Sequence, residues 1–273
     1  MKNDETIALV LAGGGAKGSY QAEIASRICE RKNVGVITGV SAGALNGAIL
    51  AQGHPPQIRN IWKGLRRKSV WSGGYNPIRY IRMAIGSALG LFTADPLIER
   101  LKKEFDPNDV EIPFEAGAVS LEDGRYVPYS IDPDKTYGKA QVKKARRFVA
   151  ASSAVPVAVE PIEVEGEPFT DGGIRNIAPV KDAIDYEPDR IIAIFNSRIS
   201  EGAAVDSKQK PKHAFGVATK AMQIMLNETV RSDVMAARRV NESIVKAQGE
   251  IEGLSHIPID TVEPSEDLGS GQD

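Results

Sequence analysis

The chain has 273 residues, of which 42% are hydrophobic and 26% charged, and its formal net charge is −2. This length and composition are typical of one globular domain, and the charge balance excludes nucleic-acid binding as the main function. The single cysteine, Cys29, excludes a disulfide framework and a cysteine-rich metal site, and its context is that of a small helix residue.

The start of the chain alternates short apolar runs with segments of helical periodicity. We predict buried strands over Thr6–Ala12 and Val34–Thr38, and helices over Ala16–Glu30 and Ala42–Gln52. This order favours parallel strands joined by right-handed crossovers. The sequence shows neither a secretory signal nor an apolar run long enough to cross a bilayer, so we expect a soluble, cytoplasmic protein.

From Gln57 to Phe105 the pattern is helical but less regular. Ile78–Phe92 is apolar, with Arg79 and Arg82 near its start, and is interpreted either as an interfacial helix or lid, or as a core helix. Apolar residues cover too much of its circumference for a clean amphipathic surface helix, so we favour packing in the core. Asp95, followed by proline, begins another helix.

The rest of the chain mixes strand and helix signals, including an Asp-Gly hairpin turn after Glu122. We predict a hairpin over Phe114–Ser130, a basic helix over Lys139–Ser152, an extended segment with a turn at Glu165-Gly166 over Val157–Thr170, a helix over Val180–Tyr186, a strand over Arg190–Asn196, a polar loop over Gly202–Lys212, a long helix over His213–Gln248 and a strand over Ile257–Val262. We expect one domain over residues 1–263 and a flexible acidic tail over residues 264–273.

The first of three glycine-rich turns, GGGAKG from Gly13 to Gly18, lies between a predicted strand and helix. Glycines let several N–H groups converge beside a helix N-terminus, an arrangement that stabilises a phosphate or an oxyanion. The pattern also matches the dinucleotide fingerprint G-x-G-x-x-G, so a nucleotide-binding oxidoreductase is an alternative. Against it, the next strand ends without the carboxylate that binds a ribose. The other common type of phosphate-binding loop needs a lysine directly after the last glycine, whereas Lys17 precedes Gly18.

The second turn is Gly39-Val40-Ser41-Ala42-Gly43, again between a strand and a helix. Small neighbours allow the tight turn that exposes a nucleophilic serine, and the helix N-terminus favours negative charge there. The alternative is that Ser41 only caps the helix. The third turn, Asp171-Gly172-Gly173, is by itself a common structural turn.

Taken together and in this order, the three turns resemble the patatin-like phospholipase family. The matching segments are GGGAKG, GVSAGALNGA and, from Ala151 to Val180, ASSAVPVAVEPIEV…GEPFTDGGIRNIAPV, and the resemblance covers Thr6 to about Asn196. It implies an α/β fold of three α/β/α layers with a central, mostly parallel sheet. It also implies a lipid acyl hydrolase of phospholipase A type, or a broader carboxylic ester hydrolase, which needs no cofactor or metal. The implied partner is a lipid or phospholipid substrate, with transient contact at a membrane surface.

The resemblance also implies roles for individual residues. Ser41 would be the nucleophile and Asp171 the base that activates it, without a histidine. The implied oxyanion hole consists of Gly13, Gly14 and Gly15, and the implied supporting positions of the motifs are Lys17, Gly18, Gly39, Gly43, Gly172 and Gly173.

Two further alternatives remain at this point. A Ser-His-Asp triad would need a histidine after Asp171, which His213 and His256 satisfy and His54 does not, although each of the three has the context of a surface or capping residue. A catalytically silent lipid-binding protein on the same fold is also possible. The acyl chain, the head group and the choice between hydrolysis and acyl transfer are not encoded in any pattern we recognise.

Overall fold

The structure is a computed structural model that describes residues 5–74, 77–198 and 256–266, with residue 268 and isolated positions between 217 and 242. The described strands are β1 (Thr6–Leu11), β2 (Asn33–Val40), β3 (Ser72–Gly73), β4 (Phe92–Thr93), β5 (Phe114–Ser120), β6 (Tyr126–Ile131), β7 (Ile162–Val164), β8 (Glu167–Asp171), β9 (Arg190–Ile194) and β10 (Ile259–Val262). The described helices are α1 (Gly18–Arg31), α2 (Ala42–Leu50), α3 (Pro55–Lys63), α4 (Pro77–Ala84), α5 (Asp95–Glu104), α6 (Lys139–Ala151) and α7 (Val180–Ile184).

All the described strands except β3 and β4 form one mixed sheet, which is parallel over five of its members. The order is β10-β9-β1-β2-β5-β8-β7, and β6 pairs with the other edge of β5. Strands β10, β9, β1, β2 and β5 are parallel, whereas β6 and β8 run antiparallel to β5, and β7 runs antiparallel to β8. The predicted α/β fold with a mostly parallel central sheet is therefore confirmed.

Helices cover both faces of this sheet, because alternate side chains of each strand point to opposite faces. In β1, Leu9 and Leu11 pack into the larger core cluster, with residues from α1, α2 and α6. Ala8 and Val10 belong to the smaller cluster on the other face, with residues from α7. The predicted layered arrangement follows from this alternation, and Cys29 is buried in the larger cluster.

The predicted order of strands and helices agrees with the structure at most positions. The hairpin after Phe114 is formed by β5 and β6, and the extended segment from Val157 contains the β7–β8 hairpin. The turn of the second hairpin, Glu165-Gly166, has positive φ at both residues (54° and 91°), as a type I′ turn requires. Helix α5 begins at Asp95, as predicted.

The prediction for Ile78–Phe92 was wrong in both extent and environment. Helix α4 ends at Ala84, and Gly86 adopts the left-handed conformation (φ 73°), which interrupts the helical pattern. Ile81 and Ile85 are 60% and 72% exposed, so the segment does not pack as a core helix.

Several predictions fall outside the described residues. They include the polar loop Gly202–Lys212, most of the helix His213–Gln248 and most of the tail from residue 264 to residue 273. Within the part of the chain that the structure describes, no helix combines the length and the apolar character needed to span a membrane.

Candidate active site

Ser41 lies in a strained turn between β2 and α2. Its backbone has φ 58° and ψ −124°, a conformation that non-glycine residues rarely adopt and that is associated with functional sites. The chain is crowded on both sides of the turn. A Cβ at Gly39 would lie 2.5 Å from the carbonyl oxygen of Gly43, and a Cβ at Gly43 would overlap the carbonyl oxygen of Leu11. Glycine at these two positions therefore lets the turn form while α2 packs against the end of β1.

Strand β5 brings Asp171 to Ser41. The first half of one edge of β5 pairs with β2, up to the pair Val40–Gly117. The next residue on the same edge, Ala118, pairs with Asp171 at the end of the antiparallel strand β8. Strands β2 and β8 thus run toward each other along one edge of β5 and end at adjacent positions. This mixed topology places two residues that are distant in the sequence side by side.

The side chains of Ser41 and Asp171 lie close enough to interact, and the hydrogen-bonding interaction with Ser41 lowers the pKa of the Asp171 carboxylate. Both side chains are buried, with residue exposures of 7% and 4%. Burial raises the pKa of Asp171 from 3.8 to about 6, although the hydrogen bonds from Ser41 and from the Gly173 N–H lower it. The N–H of Gly173 donates to Oδ1 of Asp171 over 2.8 Å, which orients the carboxylate. The carboxylate is therefore a stronger base than a free aspartate and is still ionised at neutral pH.

A second serine, Ser152 at the end of α6, holds the turn of Ser41 in place. Its Oγ accepts the backbone N–H of Ser41 over 2.9 Å and donates to the carbonyl oxygen of Gly117 over 2.5 Å. Two residues further on, the carbonyl oxygen of Ala154 accepts the backbone N–H of Asp171 over 3.0 Å. The segment after α6 therefore positions both candidate catalytic residues. The only sign of this role in the sequence is that the segment belongs to the third matching stretch, from Ala151 to Val180.

We expect Ser152→Ala to destabilise the protein by about 1–3 kcal/mol, because it leaves the Ser41 N–H and the Gly117 carbonyl without their shared partner. Activity should fall as well, since the serine turn loses its support. Urea unfolding and ester hydrolysis measure the two effects. Ser153→Ala is the matched control, because the Ser153 hydroxyl donates only to Ala150 of the same helix. Equal losses in the two variants would show that Ser152 has no special positioning role.

The glycine turn after β1 lies beside Ser41. A Cβ at Gly13 would be 3.3 Å from the Cβ of Ser41 and 3.0 Å from a side-chain carbon of Ile177. The N–H of Gly13, which was predicted to contribute to the oxyanion hole, donates in this structure to the carbonyl oxygen of Ile177 over 2.9 Å. The N–H groups of Gly14 and Gly15 have no acceptor within the described part of the chain. These two N–H groups are the remaining candidates to stabilise an oxyanion.

Asn196, two residues after the end of β9, supports the glycine turn. Its Nδ2 donates to the carbonyl oxygens of Ala12 and Gly13 over 3.0 and 3.4 Å. A Cβ at Gly14 would overlap the Asn196 side chain, so this glycine allows the close approach. The sequence pattern showed Asn196 only as the last residue of a predicted strand.

A network of buried amide side chains, which the sequence analysis did not identify, links the glycine turn to α1, α2 and α3. Nε2 of Gln21 donates to the carbonyl oxygens of Ala12 and Ile194 over 2.9 Å each. Asn46 donates to Oε1 of Gln21 over 3.0 Å, and the indole of Trp62 donates to Asn46 over 2.8 Å. Because Gln21 and Asn46 are almost fully buried, each such bond fixes geometry as well as satisfying a polar group. Amide side chains at otherwise apolar helix positions are the sequence signal that could have revealed this hydrogen-bond network.

The other predicted motif residues have structural positions near the site. Lys17 ends a 3₁₀ turn that begins at Gly15. A Cβ at Gly18 would lie 2.9 Å from the Cβ of Ala42, so this glycine allows α1 to approach the start of α2. A Cβ at Gly172 would overlap the carbonyl oxygen of Gly117, which shows how tightly the third turn packs against β5.

The histidines do not take part in the contact between Ser41 and Asp171. His54 is exposed before α3, His256 is exposed before β10, and His213 lies outside the described residues. The side chain of Ser41 is among the groups that change the pKa of Asp171, and no histidine is among them. No group of three or more His, Cys, Asp or Glu side chains within the described ranges could hold a metal ion.

Comparison with known proteins shows similarity over most of the chain. Uncharacterized NTE family proteins of Mycobacterium bovis and Mycobacterium tuberculosis are each 27% identical to it over 241 residues, covering 85% of this chain and 59% of the relative. The chain therefore spans less than two thirds of the length of these relatives.

Two solved structures are also similar. VipD from Legionella pneumophila has a TM-score of 0.48 and 18% identity, covering 93% of this chain and 57% of VipD. A chain of the complex of SpcU with ExoU from Pseudomonas aeruginosa has a TM-score of 0.38 and 15% identity, covering 86% of this chain and 53% of its own length.

The family comparison covers the region that builds the site. The model of the patatin-like phospholipases matches residues 9–184, which is more than half of the chain. This region contains all three glycine-rich turns, including the serine turn and the Asp171 turn. The chain therefore belongs to the patatin-like phospholipase family.

Proposed function

We propose that this protein hydrolyses carboxylic ester bonds of lipids, with Ser41 as nucleophile and Asp171 as general base. The observation that supports this most directly is that β5 places Ser41 beside a buried carboxylate with which its side chain interacts and whose pKa is raised to about 6. A base of this strength next to a strained serine is the arrangement that nucleophilic catalysis requires. Membership of the patatin-like phospholipase family points to lipid esters as the substrate class.

In the first half of the reaction, Oγ of Ser41 bonds to the carbonyl carbon of the ester while its proton passes to Asp171. The carbonyl oxygen becomes an oxyanion, and the N–H groups of Gly14 and Gly15 are the donors that we assign to it. When the tetrahedral intermediate collapses, the bond to the alkoxy oxygen breaks. The proton on Asp171 then passes to the leaving alcohol, and the acyl group remains on Ser41 as an ester.

In the second half, Asp171 takes a proton from a water molecule that attacks the acyl-serine carbon. A second oxyanion forms and collapses, the fatty acid leaves, and the proton returns to Oγ of Ser41. Because a lone aspartate is a weaker base than a histidine, the mechanism depends on concerted proton transfer and on oxyanion stabilisation.

Labelling with a lipophilic fluorophosphonate, followed by peptide mass mapping, tests this proposal. We expect one adduct on Ser41, because only an activated serine attacks phosphorus at a useful rate. The adduct should be lost in Asp171→Asn and kept in the three single histidine-to-alanine variants at positions 54, 213 and 256. Loss in any histidine variant would instead favour a triad. No adduct on the folded protein in the presence of detergent micelles would favour a catalytically silent lipid-binding protein.

A further inference from the structure

Four large apolar side chains on and just after α4 are exposed to solvent. We call this set the α4 ridge, and it consists of Ile78 (71% exposed), Ile81 (60%), Ile85 (72%) and Leu89 (67%). These residues are among the most exposed large apolar side chains of the described chain. A contiguous apolar surface of this kind marks an interaction site more often than scattered single residues do.

The ridge is exposed even though α4 is firmly anchored. The side chain of Arg79, on the inner face of α4, is buried. It donates to the carbonyl oxygen of Gly90 over 2.7 Å and pairs with Glu160 over 2.8 Å. Met83, four residues after Arg79, packs against the core. Because residues four apart share one helix face, the inner face of α4 is occupied and Ile78 and Ile81 are held outward. The anchoring therefore presents the apolar face to solvent.

The stretch of sequence that contains the ridge is strongly basic. The segment from Arg31 to Ala94 contains nine arginine and lysine residues and no aspartate or glutamate, whereas the whole chain has 34 basic and 36 acidic residues. Two exposed members of this set lie close to the ridge: Arg82 is on α4 itself, and the guanidinium of Arg67 lies over the ring of Phe92, 5.5 Å from its centroid. Neither belongs to an ion pair between described residues. An apolar surface flanked by unpaired basic side chains matches the chemistry of an anionic lipid surface.

We propose that the α4 ridge docks onto the surface of an anionic phospholipid bilayer, with its apolar side chains in the interfacial layer and the basic residues on the head groups. The inference rests on the proposed function in one respect, namely that the bilayer would also supply the substrate. It goes beyond that function by identifying the surface that makes contact and the charge of the lipid.

The ridge is connected to the candidate active site by backbone hydrogen bonds. Just after the ridge, the N–H groups of Leu91 and Phe92 donate to the carbonyl oxygens of Val157 and Ala158, over 3.2 and 2.8 Å. These acceptors lie on the segment after α6, which at Ser152 and Ala154 contacts the serine and aspartate of the site. Docking at the ridge would therefore place the bilayer next to a segment that also holds Ser41 and Asp171 in position.

Flotation with lipid vesicles tests the proposal, using the full chain with Ser41→Ala so that binding is measured without turnover. We expect binding to vesicles of phosphatidylcholine with phosphatidylserine, and weaker binding to phosphatidylcholine alone. In the same background, Ile81→Glu and Ile85→Glu should each lower the partition coefficient about tenfold or more, because a charge replaces an inserted apolar side chain. Ile184→Glu is the matched control and should bind as before, since Ile184 is 36% exposed on α7, which packs on the other face of the sheet from the core cluster that Met83 of α4 contacts.

Thermal unfolding of each variant checks that a lost interaction is not a lost fold. Equal binding by the ridge variants and the control would overturn the proposal, as would equal binding to the two kinds of vesicle. It would also be overturned if sedimentation showed a dimer that Ile85→Glu dissociates while vesicle binding is unaffected. If the wild-type protein hydrolyses no ester but the flotation pattern is as expected, the proposed function fails and the docking surface stands. If the protein hydrolyses a water-soluble ester but binds no vesicles, the docking surface fails and the proposed function stands.

Discussion

Replacing Asp171 by asparagine is expected to abolish ester hydrolysis and, at the same time, to make the protein more stable at neutral pH. Activity should fall about 10³-fold or more, because the amide cannot accept the proton of Ser41. Stability should rise because the buried carboxylate is ionised at pH 7 in an environment that favours its neutral form. The pKa of about 6, compared with 3.8 in the unfolded chain, corresponds to a cost of about 3 kcal/mol.

The pH dependence of this stability difference gives a second test. Because the folded-state pKa is raised, the native protein binds this proton more tightly than the unfolded chain does between about pH 4 and pH 6. The cost of ionising Asp171 is therefore absent below pH 4, grows through this interval and is complete above pH 6. An asparagine does not titrate, so the advantage of Asp171→Asn in urea unfolding should follow the same profile.

Asp123→Asn is a suitable control for these measurements. Asp123 is exposed in the β5–β6 turn, and its hydrogen bonds with Arg125 lower its pKa, so the effect on stability should have the opposite sign and activity should be unchanged. An Asp171→Asn protein that is less stable than wild type at pH 7 would show that the hydrogen bonds of the carboxylate outweigh its desolvation. One that still turns over esters would disprove its role as the base.

Replacing Gly43 by alanine is expected to destabilise the fold by about 3 kcal/mol or more and to remove activity. The added Cβ would overlap the carbonyl oxygen of Leu11, which is backbone in a central strand and cannot rotate away. Helix α2 would have to move away from β1, and Ser41 at its start would move with it. Urea unfolding and fluorophosphonate labelling of Ser41 report the two consequences separately.

Gly64→Ala provides the comparison for this substitution. Gly64, after α3, has φ −88°, and a Cβ there would be 3.7 Å from its nearest neighbours, which is ordinary contact. We expect a stability change within about 0.5 kcal/mol and full labelling at Ser41. If Gly43→Ala behaved like Gly64→Ala, the close approach of α2 to β1 would not be what requires glycine in this motif.

Local patterns in the sequence predicted the elements and the serine turn, because both depend on neighbouring residues. All residues of β1 after Thr6 are apolar, and the small residues around Ser41 indicate a tight turn from the sequence alone. The pairing of Asp171 with Ser41 came from a family resemblance, since no local pattern encodes that β8 runs antiparallel on the edge of β5 that β2 also uses.

The other differences between the predictions and the structure also arise from contacts between residues that are far apart in the sequence. Ser152 and Asn196 gain their importance from partners far away in the chain, which periodicity cannot identify. The apolar composition of the segment from Ile78 favoured the core, but the buried side chain of Arg79, which pairs with the partly exposed Glu160, turns the apolar face of α4 outward. Gly13 was expected to donate to an oxyanion, and its N–H is instead used by Ile177.

Strand β5 also sets the distance between Ser41 and Asp171, the proposed nucleophile and base. Adjacent residues of a strand are about 3.3 Å apart, and a one-residue shift reverses the face on which a side chain lies. The register of β8 depends on the two-residue turn Glu165-Gly166, which is remote from the serine in the sequence. A relative of this fold could therefore lose its activity through one inserted or deleted residue in that hairpin, with every motif residue intact.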